Sequence, residues 1–452
     1  MDMESWKLLR SICILSFLLG SCFVYQSLRV VDAQEDPKPA VTLQVDASNG
    51  AGRPIPETLF GIFFEEINHA GAGGLWAELV SNRGGCFVEG AWLSNAFRWK
   101  ETVGPWEERP GHFGDVWKYW TDDGLGHFEF FQLAEDIGAA PIWVFNNGIS
   151  HNDEVETASI MPFVQEALDG IEFARGDVNS TWGSIRAKMG RQETFELKYV
   201  AIGSEDCGKT YYRGSDIVFY DAIKKAYPDI KIISNCDGSS HPLDHPADDY
   251  DFHIYTSASN LFSMYHQFDR TSRNGPKAFV SEYAVTGKDA GTGSLLASLG
   301  EAAFLIAIGS NGSLQCQGAT LLTSTLKGNS SSLVASAISW KNNGKDYIRF
   351  KAVNFGATSE YMKVLVTGLD PNVKVSGSKK TVLTSTNVMD ENSFSQPEKV
   401  VPHESLLEMA EEDLTVVLPP HSFSLFYLLK ESAKINNMPI SDSSSHQKTT
   451  TL

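Results

Sequence analysis

The chain is poor in the residues that build disulfide scaffolds and metal sites. Six cysteines fall among 452 residues, with no CxxC pair and no histidine at zinc spacing. That excludes a cysteine-knit module and a structural zinc domain. Basic surface is scarce as well: 37 Lys and Arg stand against 56 Asp and Glu, a formal net charge of −19. Nucleic acid and anionic membrane both need a basic face, so neither is an expected partner, whereas a neutral sugar would not be repelled. No GxGxxG turn follows an early strand, which speaks against a dinucleotide fold. What remains is the composition of an ordinary globular protein, 42% hydrophobic and 21% charged. Its length suits a barrel-sized domain and a smaller second one.

The first residues carry the grammar of export. Lys7 and Arg10 precede the apolar run Ser11 to Tyr25, and Val31-Asp32-Ala33 supplies small residues at −3 and −1. A leader over residues 1–33, cleaved before Gln34 and leaving no membrane attachment, is expected. An uncleaved anchor is the alternative, although the run is shorter than the roughly 20 residues of a spanning helix. Cys13 and Cys22 leave with the leader; Cys86, Cys207, Cys236 and Cys316 remain, and their pairing stays open. Sequons at Asn179, Asn311 and Asn329 are compatible with a glycosylated secreted protein.

Two stretches dominate the rest of the chain. Tyr199-Val200-Ala201-Ile202-Gly203-Ser204-Glu205 and Lys277-Ala278-Phe279-Val280-Ser281-Glu282 are apolar runs that end on a carboxylate. Buried parallel strands read this way, and barrels keep their chemistry at strand C-termini. Either Glu alone could as well cap a helix or meet an arginine. Between and around them, strand and helix alternate at βαβ spacing. Candidate strands begin near Leu59, Pro141, Tyr199, Ile230, Asp251 and Ala278, six in all, with almost no room for one between Ser81 and Phe87. Polar groups close strand after strand: Glu65, Asn146, Glu205, His253 with Tyr255, and Glu282. An α/β fold is expected, a (β/α)8-type TIM barrel over residues 59–317 that is incomplete at six strands; a doubly wound sheet is the runner-up. Five tryptophans crowd Trp92 to Trp120. Indoles suit a saccharide cleft, but most of these are expected to pack into core and loops.

From Gly318 the grammar changes to short strands and turns, which predicts an all-β sandwich over 318–430. The segment 34–58 holds one alternating strand from Val41, a candidate to join that sandwich. Residues 431–452 are Ser/Thr/Asn-rich and expected to be disordered.

Several stretches together carry a family likeness: Phe60-Gly61-Ile62-Phe63-Phe64-Glu65, Gly84-Gly85-Cys86-Phe87-Val88-Glu89-Gly90, Ile142-Trp143-Val144-Phe145-Asn146-Asn147-Gly148, and the two runs ending on Glu205 and Glu282. They resemble glycoside hydrolase family 51, with the nearest likeness to its secreted plant α-L-arabinofuranosidases. The resemblance implies a retaining hydrolase on a TIM barrel plus a sandwich, with Glu205 as acid/base and Glu282 as nucleophile. It further implies that Glu65, Cys86, Asn146, Ser204, His253 and Tyr255 line the sugar subsite. The expected partners are arabinose-containing cell-wall polysaccharides: arabinan, arabinoxylan or arabinogalactan. No cofactor or metal is implied, because two carboxylates carry such a mechanism.

Three features depart from the family pattern. Ser204 stands where the family has Asn before the acid/base. The Arg-Phe-Pro-Gly-Gly strand and a carbohydrate-binding β-domain are missing before Cys86. No eighth strand is visible after Ile308. An internally deleted chain is therefore expected. Added β-xylosidase activity, or a non-catalytic wall-binding copy, are the alternative functions.

Overall fold

The computed structural model describes residues 41–55, 61, 64–65, 86–87, 90–269, 271–272, 274–309, 319–328, 330–369, 373–407 and 413–430. The leader, the sequons at Asn311 and Asn329, and the C-terminal tail lie outside the described residues.

The parallel sheet holds seven strands: β1 (Phe64–Glu65), β2 (Cys86–Phe87), β3 (Ile142–Phe145), β4 (Tyr199–Ile202), β5 (Lys231–Ser234), β6 (Asp249–Thr256) and β7 (Lys277–Val285). Each pairs with the next in chain order, without reversal. A doubly wound sheet needs a switch point where the order turns back, so this winding is that of a barrel. One expectation is corrected. Cys86–Phe87 forms a strand where the spacing left no room, because two residues suffice to bridge Phe64–Glu65 to Trp143. Among the described residues no eighth strand joins β7 to β1.

The helices between strands cover the sheet. Residues Met161–Arg175 form a helix with Pro162 in its first turn, where a missing N–H costs nothing. Its fully buried Val164, Ala167, Ile171 and Phe173 pack on Val200 and Ile202 of β4 and Ile232 of β5. The interiors of these strands, Val200-Ala201-Ile202 and Ile232-Ile233, are apolar because both their faces are covered. The helix Tyr212–Ala226 adds Phe219 and Ile223 to the same core. Ser180 caps the next short helix, Thr181–Lys188, by accepting from Gly183 N at 3.1 Å.

The sandwich has two sheets around one core. Its seven-stranded sheet runs His403–Leu406, Val373–Thr384, Ser422–Lys430, Lys345–Asn354, Leu333–Asn342, Thr320–Leu321 and Arg53–Pro54 in spatial order. Val41–Asp46 lies within the four-stranded sheet, parallel to Glu360–Thr367 and antiparallel to Thr323–Gly328. Its alternation places Val41, Leu43 and Val45 against Phe350, Val364 and Phe426. The helix Leu295–Gly309 is apolar on several sides for a reason: Ala297 and Phe304 face the β6–β7 end of the barrel sheet, while Leu299 and Ile306 pack with Val334 and Val353 of the sandwich.

Candidate functional site

Three backbone devices assemble the C-terminal ends of β4 to β7. The first is a tight turn after β4. Gly203 takes φ +74°, and a Cβ there would strike the side chains of Asn147 and Asp206. Glycine is therefore required by both conformation and space. Glu205, two residues on, also adopts φ +56°. A non-glycine residue there costs on the order of 1 kcal/mol and is held by its surroundings. Those surroundings are visible: buried Asp206 accepts from Asn147 Nδ2 at 3.0 Å and from Ser204 N at 3.3 Å, and its own N–H donates to Asn235 Oδ1. The Glu205 side chain is exposed.

The second device is a disulfide, Cys207–Cys236, which ties the loop after β4 to the loop after β5. It resolves the open cysteine pairing for two of the four thiols.

The third is a β-bulge. Asp251 registers with Phe279, but His253 registers with Glu282, so β7 carries one extra residue between them. The slip brings Glu282 opposite His253, where a regular ladder would place Ser281. Bulges re-aim side chains in this way beside active sites. On β6, Asp251, His253 and Tyr255 share a face by strand alternation. His253 Nε2 lies 3.0 Å from Glu282 Oε1, an ion pair off the line of a hydrogen bond, and the Tyr255 hydroxyl donates to Glu282 Oε2. Behind them, Asp251 Oδ2 meets His253 Nδ1 at 2.8 Å. Asp251 Oδ1 accepts from Ser281 Oγ at 2.6 Å.

The charges follow from these contacts. Burial works against a charged His253, yet Asp251 and Glu282 raise its pKa to about 10, so it is imidazolium at neutral pH. Burial likewise works against a charged Glu282. The contacts from His253 and Tyr255 outweigh it and hold the carboxyl below its ordinary value. Glu282 is thus an anchored anion at the mouth of the sheet.

Of the other expected site residues, Asn146 and Glu65 fall at strand ends, whereas Cys86 begins its strand. Asn146 directly follows β3 and turns the chain by accepting from Gly148 N at 2.8 Å. Glu65 ends β1, and Cys86 pairs with Trp143 on the neighbouring strand. Asn147, Asp206, Asn235, Asp251 and Ser281 escaped the sequence reading. For Asp251 a signal existed, since Asp-x-His-x-Tyr puts it in line with two residues already chosen. Asn235 has no such signal, because its role depends on a loop brought in from β4. The tryptophan expectation is corrected too. Trp99 is 4% exposed and packs in the core, but Trp92, Trp106, Trp117 and Trp120 are 42% to 61% exposed. Short 3-10 turns and a two-stranded hairpin, His112–Gly114 with Tyr119–Thr121, offer them no core to enter.

A barrel-wound sheet with an anchored carboxylate among strand-end acids is the build of a barrel glycoside hydrolase. The comparisons narrow that class. Residues 74–273 match the Alpha-L-arabinofuranosidase 1 domain, and residues 256–422 match the Alpha-L-arabinofuranosidase C-terminal domain. The chain is 61% identical to Alpha-L-arabinofuranosidase 1 and 48% identical to Alpha-L-arabinofuranosidase 2 of Arabidopsis thaliana, each aligned over 100% of both chains. The first alignment is 679 positions long, more than the 452 residues here, so that relative carries segments this chain lacks. An arabinose-bound GH51 α-L-arabinofuranosidase superposes with a TM-score of 0.66 at 25% identity, covering 78% of this chain and 65% of that one. The Thermotoga maritima α-L-arabinofuranosidase shares the fold at a TM-score of 0.65 and 17% identity, covering 86% of this chain and 100% of the other. The chain belongs to the α-L-arabinofuranosidases of glycoside hydrolase family 51.

Proposed function

We propose that the protein is a secreted, retaining arabinofuranosidase that removes terminal α-L-arabinofuranosyl groups from cell-wall arabinan, arabinoxylan or arabinogalactan. The observation that carries this is the pinning of Glu282 between His253 and Tyr255, because a nucleophilic carboxylate must be ionised and aimed. In the first step a Glu282 oxygen attacks the anomeric carbon. The bond to the leaving oxygen breaks, and Glu205 gives that oxygen a proton. In the second step Glu205 takes a proton from water, whose oxygen displaces Glu282 and restores the original anomeric configuration. Asn146, Ser204, His253, Tyr255, Glu65 and Cys86 line the sugar subsite in this reading.

Support for the cellular setting is of three kinds. The leader-like segment predicts export, the Cys207–Cys236 bridge suits an oxidising compartment, and the Asn179 sequon is exposed just before a helix cap. The exposed indoles and the negative charge suit a neutral polymer.

Release of 4-nitrophenol from its α-L-arabinofuranoside tests the reading. Glu282→Gln should cost about 10⁴-fold or more in kcat, as loss of a nucleophile does. Turnover equal in the two proteins, or absent in both, overturns it. Ser204→Asn should raise kcat by up to about 100-fold, since an amide donor beside a developing charge contributes about 3 kcal/mol. An unchanged rate would show that Ser204 is no handicap.

A further inference from the structure

Asp251 is 7% exposed, so its carboxylate is taken out of water and must be compensated where it lies. Three side chains do this. Ser281 Oγ donates to Oδ1 at 2.6 Å; His253 Nδ1 and Asn235 Nδ2 lie 2.8 Å and 3.3 Å from Oδ2. The three come from different elements: Ser281 from the bulge of β7, His253 from β6 itself, Asn235 from the loop after β5. Asn235 also accepts from Asp206 N, the residue next to Glu205. One carboxylate therefore joins the backbone that presents Glu205 to the strand that presents Glu282.

We infer that Asp251 is a positioning residue for the arabinofuranosidase reaction, which fixes the His253 ring so that its Nε2 faces the Glu282 carboxylate. The inference rests on the reading of Glu282 as nucleophile. The chemistry is that of an oriented imidazole: a carboxylate at Nδ1 demands a proton there, and a second carboxylate at Nε2 demands one there too. Without Asp251 the ring could present either nitrogen, and it would lose the partner that keeps both protons on. Among the described residues, the charged groups facing His253 are Asp251 on its own strand and Glu282 on β7, with Asp206 one residue farther away through Asn235. The elevated His253 pKa agrees with this arrangement.

The test uses the full chain and two readouts. In a ring-nitrogen NMR titration, with the His253 signal assigned by its loss in His253→Gln, wild-type His253 should stay protonated to about pH 9. In Asp251→Asn it should lose its proton at least about one pH unit lower. A wild-type His253 titrating near 6.5, or an Asp251→Asn titration like wild type, overturns the inference whether or not the protein turns over sugar. The second readout is kcat/KM for an aryl arabinofuranoside with a strongly acidic phenol, which needs no proton from Glu205. Wild type should be flat from about pH 6 to 9. Asp251→Asn should fall about tenfold or more toward the alkaline end, following its own His253 titration. Ser281→Ala removes the hydrogen bond to Asp251 and a 3.2 Å contact with His253 Nδ1 but keeps the charge, so it should lower kcat a few-fold with the profile still flat. If Ser281→Ala reshapes the profile as Asp251→Asn does, the carboxylate charge is not what acts and the inference fails. Loss of turnover in wild type would instead end the proposed function, and the NMR titration would still decide this one.

Discussion

Two histidines in this barrel sit among carboxylates, and they have opposite standing. His253 meets Asp251 and Glu282 where β6 and β7 pair, with His253 and Glu282 each three residues short of the strand's end. His245 lies in the connection between β5 and β6, with Ser234 Oγ 2.6 Å from Nε2, Asp244 Oδ1 2.9 Å from Nδ1 and Asp216 Oδ2 3.8 Å from Nε2. By atom order alone, Ser234, His245 and Asp244 make the better catalytic constellation, that of a serine hydrolase. Yet Ser234 is 0% exposed. No substrate carbonyl can reach its oxygen, and Tyr212 and the backbone of Cys236 also share it. The same residue types thus flank a partly exposed carboxylate in one place and tie a helix to a strand end in the other. Access decides between them: Tyr255 beside Glu282 is half exposed, whereas Ser234, although it ends β5, is fully buried against Tyr212 and His245.

The largest effect that sharpens this contrast concerns Glu205, whose exposed side chain has the access that Ser234 lacks. Glu205→Ala should cost about 10²- to 10⁴-fold in kcat on natural glycosides, whose leaving groups need a proton. On a strongly acidic phenol leaving group the cost in kcat/KM should shrink toward none. Equal losses on both substrates would remove Glu205 from the acid role and leave the rim with one working carboxylate. A smaller effect comes from the open histidine cluster. Tyr255→Phe deletes a hydrogen bond to a charged oxygen, worth about 1.5–3 kcal/mol. A drop of about 10- to 100-fold in kcat is expected, with the melting temperature unchanged because Tyr255 is half exposed. A large loss of stability with normal kcat would put Tyr255 in the structural class with His245.

How far the sequence could carry this contrast depends on the range of the interactions involved. Glu205 and Glu282 were legible because each ends an apolar run, and a buried parallel strand needs no more than local composition to be seen. The sandwich was legible from the same kind of local alternation. The pairing of Cys207 with Cys236, the bulge that turns Glu282 to His253, and the Asp206–Asn235–Asp251 chain were not. Each joins residues on different strands, and a register slip of one residue on β7 changes no local pattern. The Cys86–Phe87 strand was missed for a related reason: two residues have no period to detect, and only their neighbours on β1 and β3 make them a strand. Asp216, Tyr212 and His245 were equally silent, since nothing in an amphipathic helix marks which polar residue will be sealed in.

Asp216 offers the mildest test, read in stability alone. Burial raises its carboxyl to about 6, against the pull of His245 and the Tyr212 hydroxyl, and its Oδ2 lacks a hydrogen bond. A carboxyl whose folded pKa exceeds its unfolded one stabilises the fold while protonated, below about pH 4. That contribution is lost as pH rises through about 6. The sealed cluster should therefore make the protein less stable at pH 7 than at pH 4 by up to about 3 kcal/mol from this group. Asp216→Asn keeps the shape and the Tyr212 contact but cannot ionise. Its melting temperature should exceed that of wild type at pH 7 and match it more nearly at pH 4, with kcat at pH 7 retained. If melting curves of the two proteins run parallel across this range, Asp216 is not titrating in the fold. If kcat falls with it, the sealed histidine cluster is coupled to the open one through Asn235, whose backbone N–H donates to Tyr212, and the two regions are one device.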